Sequence, residues 1–248
     1  MNLLLLTVIA HLAGDFLFQS RNIVENKEKM KLRGYFSHGL VLFVLTFLLT
    51  VVYGLIISLS LALLLGLVHI VVDFIKVKLA KIFTSAAGDL YIFIGDQILH
   101  LAVIYFIWLH FFRYPFSEVV FRGDRFLYQF GLRDTFISEI LIFVVVYLLV
   151  LFVGAVFLEK VLNLIDLPAD EKEQQLHLGK YIGVVERALV LTLILTGSMS
   201  SIGIIFMAKS LARFNKLNQK MFAEYYLLGT LTSILIAVLG GFLLQNLL

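Results

Sequence analysis

A histidine followed four residues later by aspartate and then phenylalanine occurs twice in this chain, as His11–Asp15–Phe16 and as His69–Asp73–Phe74. Residues four apart share a helix face, so each pair presents an imidazole and a carboxylate side by side. Asp96 and His100 repeat the spacing in reverse order, and His38 stands alone. All lie in or beside stretches apolar enough to enter a bilayer, where an aspartate costs about 2.5–3.5 kcal/mol on insertion scales. Residues kept at that cost are functional candidates by default.

Imidazole and carboxylate together suit zinc, manganese or iron. His11, Asp15, His69, Asp73, Asp96 and His100 are therefore the candidate metal ligands. His38 is a further ligand or a general base, a role that suits neutral pH because an ordinary imidazole titrates near about 6.5. Seven groups exceed the needs of one tetrahedral ion, so two ions are the sharper form of the idea. Gln19 and Gln97 would orient ligands or substrate. Lys76, one turn beyond Asp73, could hold a phosphate or reach back to the membrane surface. Such a centre could activate water against a phosphoester or carboxyl ester of a lipid-like substrate. The same residues could instead relay protons or cations, or only tie helices together and fix their register. Residue types alone leave enzyme, transporter or channel, and structural protein open.

The elements that must position these groups follow from composition. The chain is 61% apolar and 15% charged, outside the soluble range, with several apolar runs of the roughly 20 residues that cross hydrocarbon. An all-α polytopic transmembrane bundle of six or seven spans is expected, over 2–20, 36–57, 59–79, 91–112, 138–158, 184–206 and 225–247. A β-barrel is excluded, since its strands would alternate rather than run uniformly apolar. The first segment has no basic leader and carries His11 and Asp15, so it reads as a span rather than a cleaved signal. The absence of cysteine excludes thiolate metal sites, iron–sulfur clusters and disulfides. A net charge of +3 makes no case for nucleic acid. The expected partners are membrane lipid and a lipid-like or small-ion substrate. The phosphate-binding, nucleophile-elbow, zincin and dinucleotide motifs are missing, as are histidine boxes of the HxxxH and HxxHH kinds.

The segment after the first span carries Arg21, Lys27, Lys29, Lys31 and Arg33, and that after the third carries Lys76, Lys78 and Lys81, whereas the turn between spans two and three is uncharged. Positive-inside bias then puts the N-terminus outside and the basic segments in the cytoplasm. The second half fits less simply, with acidic residues over 159–180 (Glu159, Asp166, Asp170, Glu171, Glu173) and basic ones at Lys209, Arg213, Lys216 and Lys220. There, a re-entrant span or an amphipathic helix over 207–222 is expected.

His38 early in span two and Asp96 early in span four share the 58-residue offset of the two His–Asp–Phe motifs. Residues 1–57 and 58–112 thus read as a duplicated helical hairpin, followed by a 113–137 loop or interfacial segment and a 138–248 helical subdomain. Counting helical rise from the cytoplasmic boundary puts the aspartates at roughly 5–7 Å and His11, His69 and His100 at roughly 10–14 Å, one shared layer. Elsewhere, Trp108, Tyr105 and Tyr114 read as an aromatic belt. Gly66, Gly229, Gly240 and Gly241 read as helix contacts. Lys209, Arg213 and Glu224 read as interfacial anchors, Glu186 and Arg187 as charges paired elsewhere or interfacial, and His110 and His177 as outside the layer.

The strings HLAGDFLFQSRNIVENK, SHGL, HIVVDFIKVKLAK and GDQILH resemble the uncharacterised bacterial inner-membrane family catalogued as domain of unknown function 3307. GVVERALVL, AKSLARF and AEYYLLGTLTS resemble its longer members. The resemblance implies a helical bundle in a bacterial inner membrane and supplies no reaction. A more distant resemblance, by residue type, is to membrane-bound metal-dependent hydrolases with His and Asp in their helices.

Overall fold

The computed structural model describes residues 1–113, 134–165 and 169–248, with side chains described outside 111–113, 134–135, 169–178 and 180. Tyr114, Asp166 and most of the 113–137 segment lie outside the described residues, as do the side chains of Asp170, Glu171, Glu173 and His177. Every regular element among the described residues is helical. Among the described residues, five helices are long and apolar enough to cross a membrane, or six if one bent pair counts as a single span. This is a helical membrane protein. It divides into two units, Met1–Val145 and Val146–Leu248.

In the first unit, α1 (Asn2–Phe16) is followed by α2 (Arg21–Glu28), α3 (Leu32–Thr50), α4 (Leu55–Ile82) and α5 (Ala86–Ile107). Their outer faces show why this chain needs lipid. Along α3 the exposed stripe is Phe36, Leu40, Val44 and Leu48, while the buried stripe includes His38, Gly39, Thr46 and Thr50. Polar residues face inward and apolar ones outward, the reverse of a soluble bundle. At one end of the bundle Leu3, Tyr53, Ile57, Leu61, Leu65, Ile104 and Ile107 form a dry core. The same buried stripes, continued along α1, α3, α4 and α5, carry the histidines and aspartates to the opposite end.

Several expected boundaries move. The first span, placed at 2–20, stops at Phe16; its 15 residues reach only about 22 Å, and the chain turns by 81° into α2. What reads as a basic loop at 21–33 is largely this helix. Span two ends at Tyr53 rather than 57, because Gly54 takes φ +103, a backbone region open chiefly to glycine. The third span is longer than expected, at Leu55–Ile82.

In the second unit the chain continues from α6 (Asp134–Leu148), which begins in the first, through a π-helical turn, Leu149–Val153, into α7 (Gly154–Leu162). Then come α8 (Ala169–Leu195), α9 (Ile202–Arg213) and α10 (Lys220–Leu247). The expected span 184–206 is broken, since α8 ends at Leu195 and the backbone turns at Gly197, φ +72. The 12 residues of α9 cover about 18 Å, too short to span about 30 Å of hydrocarbon. Lys209 on α9 bonds Glu186 on α8 at 2.6 Å, so α9 runs back along α8 and returns the chain to start α10. That return lets α8 and α10 run parallel, with Arg187 against Ser233 and Ile194 against Gln245. Gly240 packs on Val150 and Gly241 on Ile194, the close contacts their sequence positions imply.

Candidate metal centre

Glycines set how closely the helices carrying the site approach. A Cβ added to Gly39 would lie 2.5 Å from Ile70 Cδ1 and 3.5 Å from the Gly66 carbonyl, so α3 and α4 cross through a glycine pair. Gly39 is the neighbour of His38, and Gly66 lies one turn before His69. The crossing brings His38 Nε2 to 2.9 Å from His69 Nε2. Asp15 Oδ1, from the last turn of α1, lies 3.1 Å from the first and 3.3 Å from the second. All three side chains are at least nine-tenths buried. Ligand atoms around a tetrahedral ion with bonds of about 2.0–2.1 Å stand about 3.3 Å apart, so this triangle has the size of one face of such a polyhedron.

A second locus adjoins the first. His69 and His100 stack with ring centroids 4.0 Å apart, and His11 lies 4.8 Å from His100. His11, His69 and His100 bring ligand atoms within 4.8 Å of one another, and so do Asp15, Asp96 and His100. Asp15 and His69 thus belong to both loci. Four buried atoms here make no hydrogen bond: His11 Nε2, His38 Nδ1, Asp96 Oδ1 and His100 Nε2. Asp96 Oδ1 and His100 Nε2 are 3.3 Å apart, yet their directions do not let them bond each other. Buried polar atoms normally find partners, so His11 Nε2, Asp96 Oδ1 and His100 Nε2, on residues of the adjoining ligand groups, suit a cation. A small cavity of about 20 Å³ lined by Thr7, His11, Thr46, His69 and His100 leaves room beside them, enough for about one water-sized occupant. The donor set fits a divalent metal.

All seven proposed ligands therefore come together, but not on equal terms. Asp73 Oδ2 lies 3.7 Å from His38 and 3.6 Å from His69, and accepts a hydrogen bond from Lys27 Nζ at 2.6 Å. Asp96 Oδ2 accepts from Lys76 Nζ at 2.7 Å and from Gln97 Nε2 at 3.0 Å. Gln97 and Lys76 thus hold Asp96, whereas Gln19 lies in the break between α1 and α2 and makes none of these bonds. His110 stays apart, stacked on Phe106.

In sequence Lys27 is one of several charges in a basic loop, yet it is buried in the structure. Gly34 makes this possible: a Cβ there would meet the Lys27 nitrogen at 2.7 Å, so α2 lies directly on α3. Ile23, Val24 and Lys27 share the i, i+3, i+4 face of α2, the one signal in the sequence that Lys27 points inward.

Beside the cluster, a cavity of about 450 Å³ opens between α4 and α5. Val72, Ile75, Leu79 and Leu99 form apolar walls, and Lys76 and Asp96 line it as well. Gly95 borders it with no atom within 4 Å of where a Cβ would stand.

Among curated proteins and solved structures, none matches the chain. Residues 3–122 match the family described as a protein of unknown function, DUF3307. The C-terminal strings lie beyond that match. Over this segment, which carries all seven converging side chains, the chain resembles the DUF3307 family.

Proposed function

We propose that this protein is a metal-dependent membrane hydrolase acting on a lipid-like phosphoester. The observation that carries the reading is the triangle of His38, His69 and Asp15, with edges of 2.9, 3.1 and 3.3 Å. His38, His69 and Asp15 would hold one ion, and Asp15, Asp96 and His100 a second, with His11 beside His100. Zinc, manganese or iron all suit these ligands. A bound ion would supply an activated water and polarise the phosphoryl or carbonyl oxygen.

The chain's own residues account for the rest. Three carboxylates (Asp15, Asp73, Asp96) face two ammonium groups (Lys27, Lys76), leaving one net negative charge before any cation binds. One divalent ion reverses the sign, which favours an anionic phosphoester over a neutral carboxyl ester. The apolar cavity between α4 and α5 suits the chain of a lipid, and Lys76 at its wall suits the phosphate. His38 serves as ligand rather than general base in this reading, because its Nε2 points at His69 and Asp15. Each locus draws its ligands from both hairpins, 1–57 and 58–112. The protein would sit in a bacterial inner membrane with its N-terminus outside and the site near the cytoplasmic face. The test is release of phosphate or headgroup from mixed micelles of phosphatidic acid and phosphatidylglycerol, with added zinc or manganese. Activity lost in His38→Ala and with chelator supports the reading; no release with any of these metals contradicts it.

A second reading has its own observation. Lys27, Asp73, the His38–His69 pair and Asp15 form a chain of contacts between 2.6 and 3.7 Å, as a proton or cation relay requires. Proteoliposome flux abolished by Asp73→Asn, without bound metal, favours it. A purely structural layer would instead show melting changes in the Asp→Asn variants with any cellular phenotype intact.

A further inference from the structure

Among the described residues of the second unit, Arg187 is a buried charge with no ion-pair partner. Arg187 on α8 is 2% exposed, and its guanidinium meets only neutral acceptors. Nη1 donates to Ser233 Oγ at 3.2 Å, and Nη2 donates to the Leu151 carbonyl at 2.9 Å. The Leu151 carbonyl is presented by the π-helical turn Leu149–Val153, a distortion frequent at functional sites. Nε makes no hydrogen bond. The neighbouring acid, Glu186, is bonded by Lys209 at 2.6 Å. Glu159 lines the same cavity, but no ion pair joins it to Arg187 among the described residues. Gly183 lies against the guanidinium, its Cβ position 3.2 Å from Nη1.

Arg187 opens onto a cavity of about 130 Å³ between α7, α8, α9 and α10, also lined by Lys209, Arg213, Tyr225, Tyr226 and Ser233. A buried charge without a counter-ion is strongly unfavourable, and arginine's planar fork matches phosphate oxygens. The Ser233 hydroxyl, having accepted from Nη1, retains its own proton to donate. Leu158, Leu162, Ile182 and Phe222 make much of the remaining wall apolar. We propose that this cavity binds a phosphate-bearing anion through Arg187, Ser233 and Arg213. The phosphate belongs to a lipid headgroup or is free inorganic phosphate. The site is independent of the metal centre and is built wholly from the second unit.

The purified full-length protein in a neutral detergent is titrated with inorganic phosphate and, separately, with phosphatidic acid against phosphatidylcholine, following binding and melting temperature. Saturable binding of either phosphate source, with raised melting temperature, is expected. Phosphate alone identifies a free anion; phosphatidic acid alone identifies a headgroup. Arg187→Gln should weaken binding at least ten-fold. Arg213→Gln, at the half-exposed end of α9, should weaken it several-fold without loss of folding. Glu159→Gln should strengthen it. Binding of neither source, or binding unchanged in both arginine variants, overturns the proposal. So does Glu159→Gln lowering the melting temperature as Arg187→Gln does, with no ligand effect, since Glu159 is then the counter-charge.

Discussion

His38 and His69 bring their Nε2 atoms to 2.9 Å although they stand on different helices, 31 residues apart. A proton on one nitrogen can bridge the pair, but Asp15 then competes for the same atoms from 3.1 and 3.3 Å. The proposed cation would resolve that competition, with each of the three residues offering it a lone pair. The contact depends on the α3–α4 crossing at Gly39 and Gly66.

Gly39→Val is therefore expected to disturb the site without touching a ligand. Its branched side chain would press on Ile70, already 2.5 Å from a Cβ at this position, and overpacking of this kind costs about 1–3 kcal/mol. Metal affinity should fall at least ten-fold, read by competition with a chromogenic chelator. Unchanged affinity would show that the crossing does not set the ligand geometry.

Lys27→Met should be strongly destabilising, because it strands the buried Asp73 carboxylate. Breaking one side of a buried pair costs about 3–5 kcal/mol. The double variant Lys27→Met with Asp73→Asn should recover much of the loss. Denaturant titration of wild type and the two variants checks this, and equal stability of the single variant and wild type would mean that Asp73 finds another partner.

Gly95→Leu separates chemistry from metal binding. Nothing lies within 4 Å of its Cβ position, so leucine fills the cavity between α4 and α5 with little cost to folding. Lipid hydrolysis should drop at least ten-fold while bound metal stays at wild-type level. Full activity in this variant would place substrate entry elsewhere.

With no cysteine in the chain, single-cysteine labelling can test orientation. Lys31→Cys should react with an impermeant maleimide only in inverted vesicles, and Leu55→Cys, at an exposed position beside the turn, only in intact spheroplasts. The reverse pattern would place the N-terminus in the cytoplasm.

The sequence makes the ligand layer readable because i, i+4 spacing fixes which residues share a helix face, and helical rise fixes their depth. That places His11, His38, His69, His100, Asp15, Asp73 and Asp96 at one level, while their meeting depends on crossings such as that of Gly39 and Gly66. Tertiary features that no single helix encodes were hidden. Lys27 looks like a loop charge until Gly34 lets α2 dock on α3. Arg187 looks interfacial until the π-helical turn at 149–153 offers it a carbonyl. The break at Gly197 is invisible to hydropathy, since apolar residues continue on both sides and merge two helices into one apparent span.

Elemental analysis of the protein purified without chelator tests the central claim most directly. One or two equivalents of zinc, manganese or iron per chain are predicted, and His38→Ala combined with His69→Ala, which remains folded by circular dichroism, should lose the equivalent held by His38, His69 and Asp15. Wild-type protein from metal-supplemented cells that carries no metal above background, and takes up none on titration, would contradict the account.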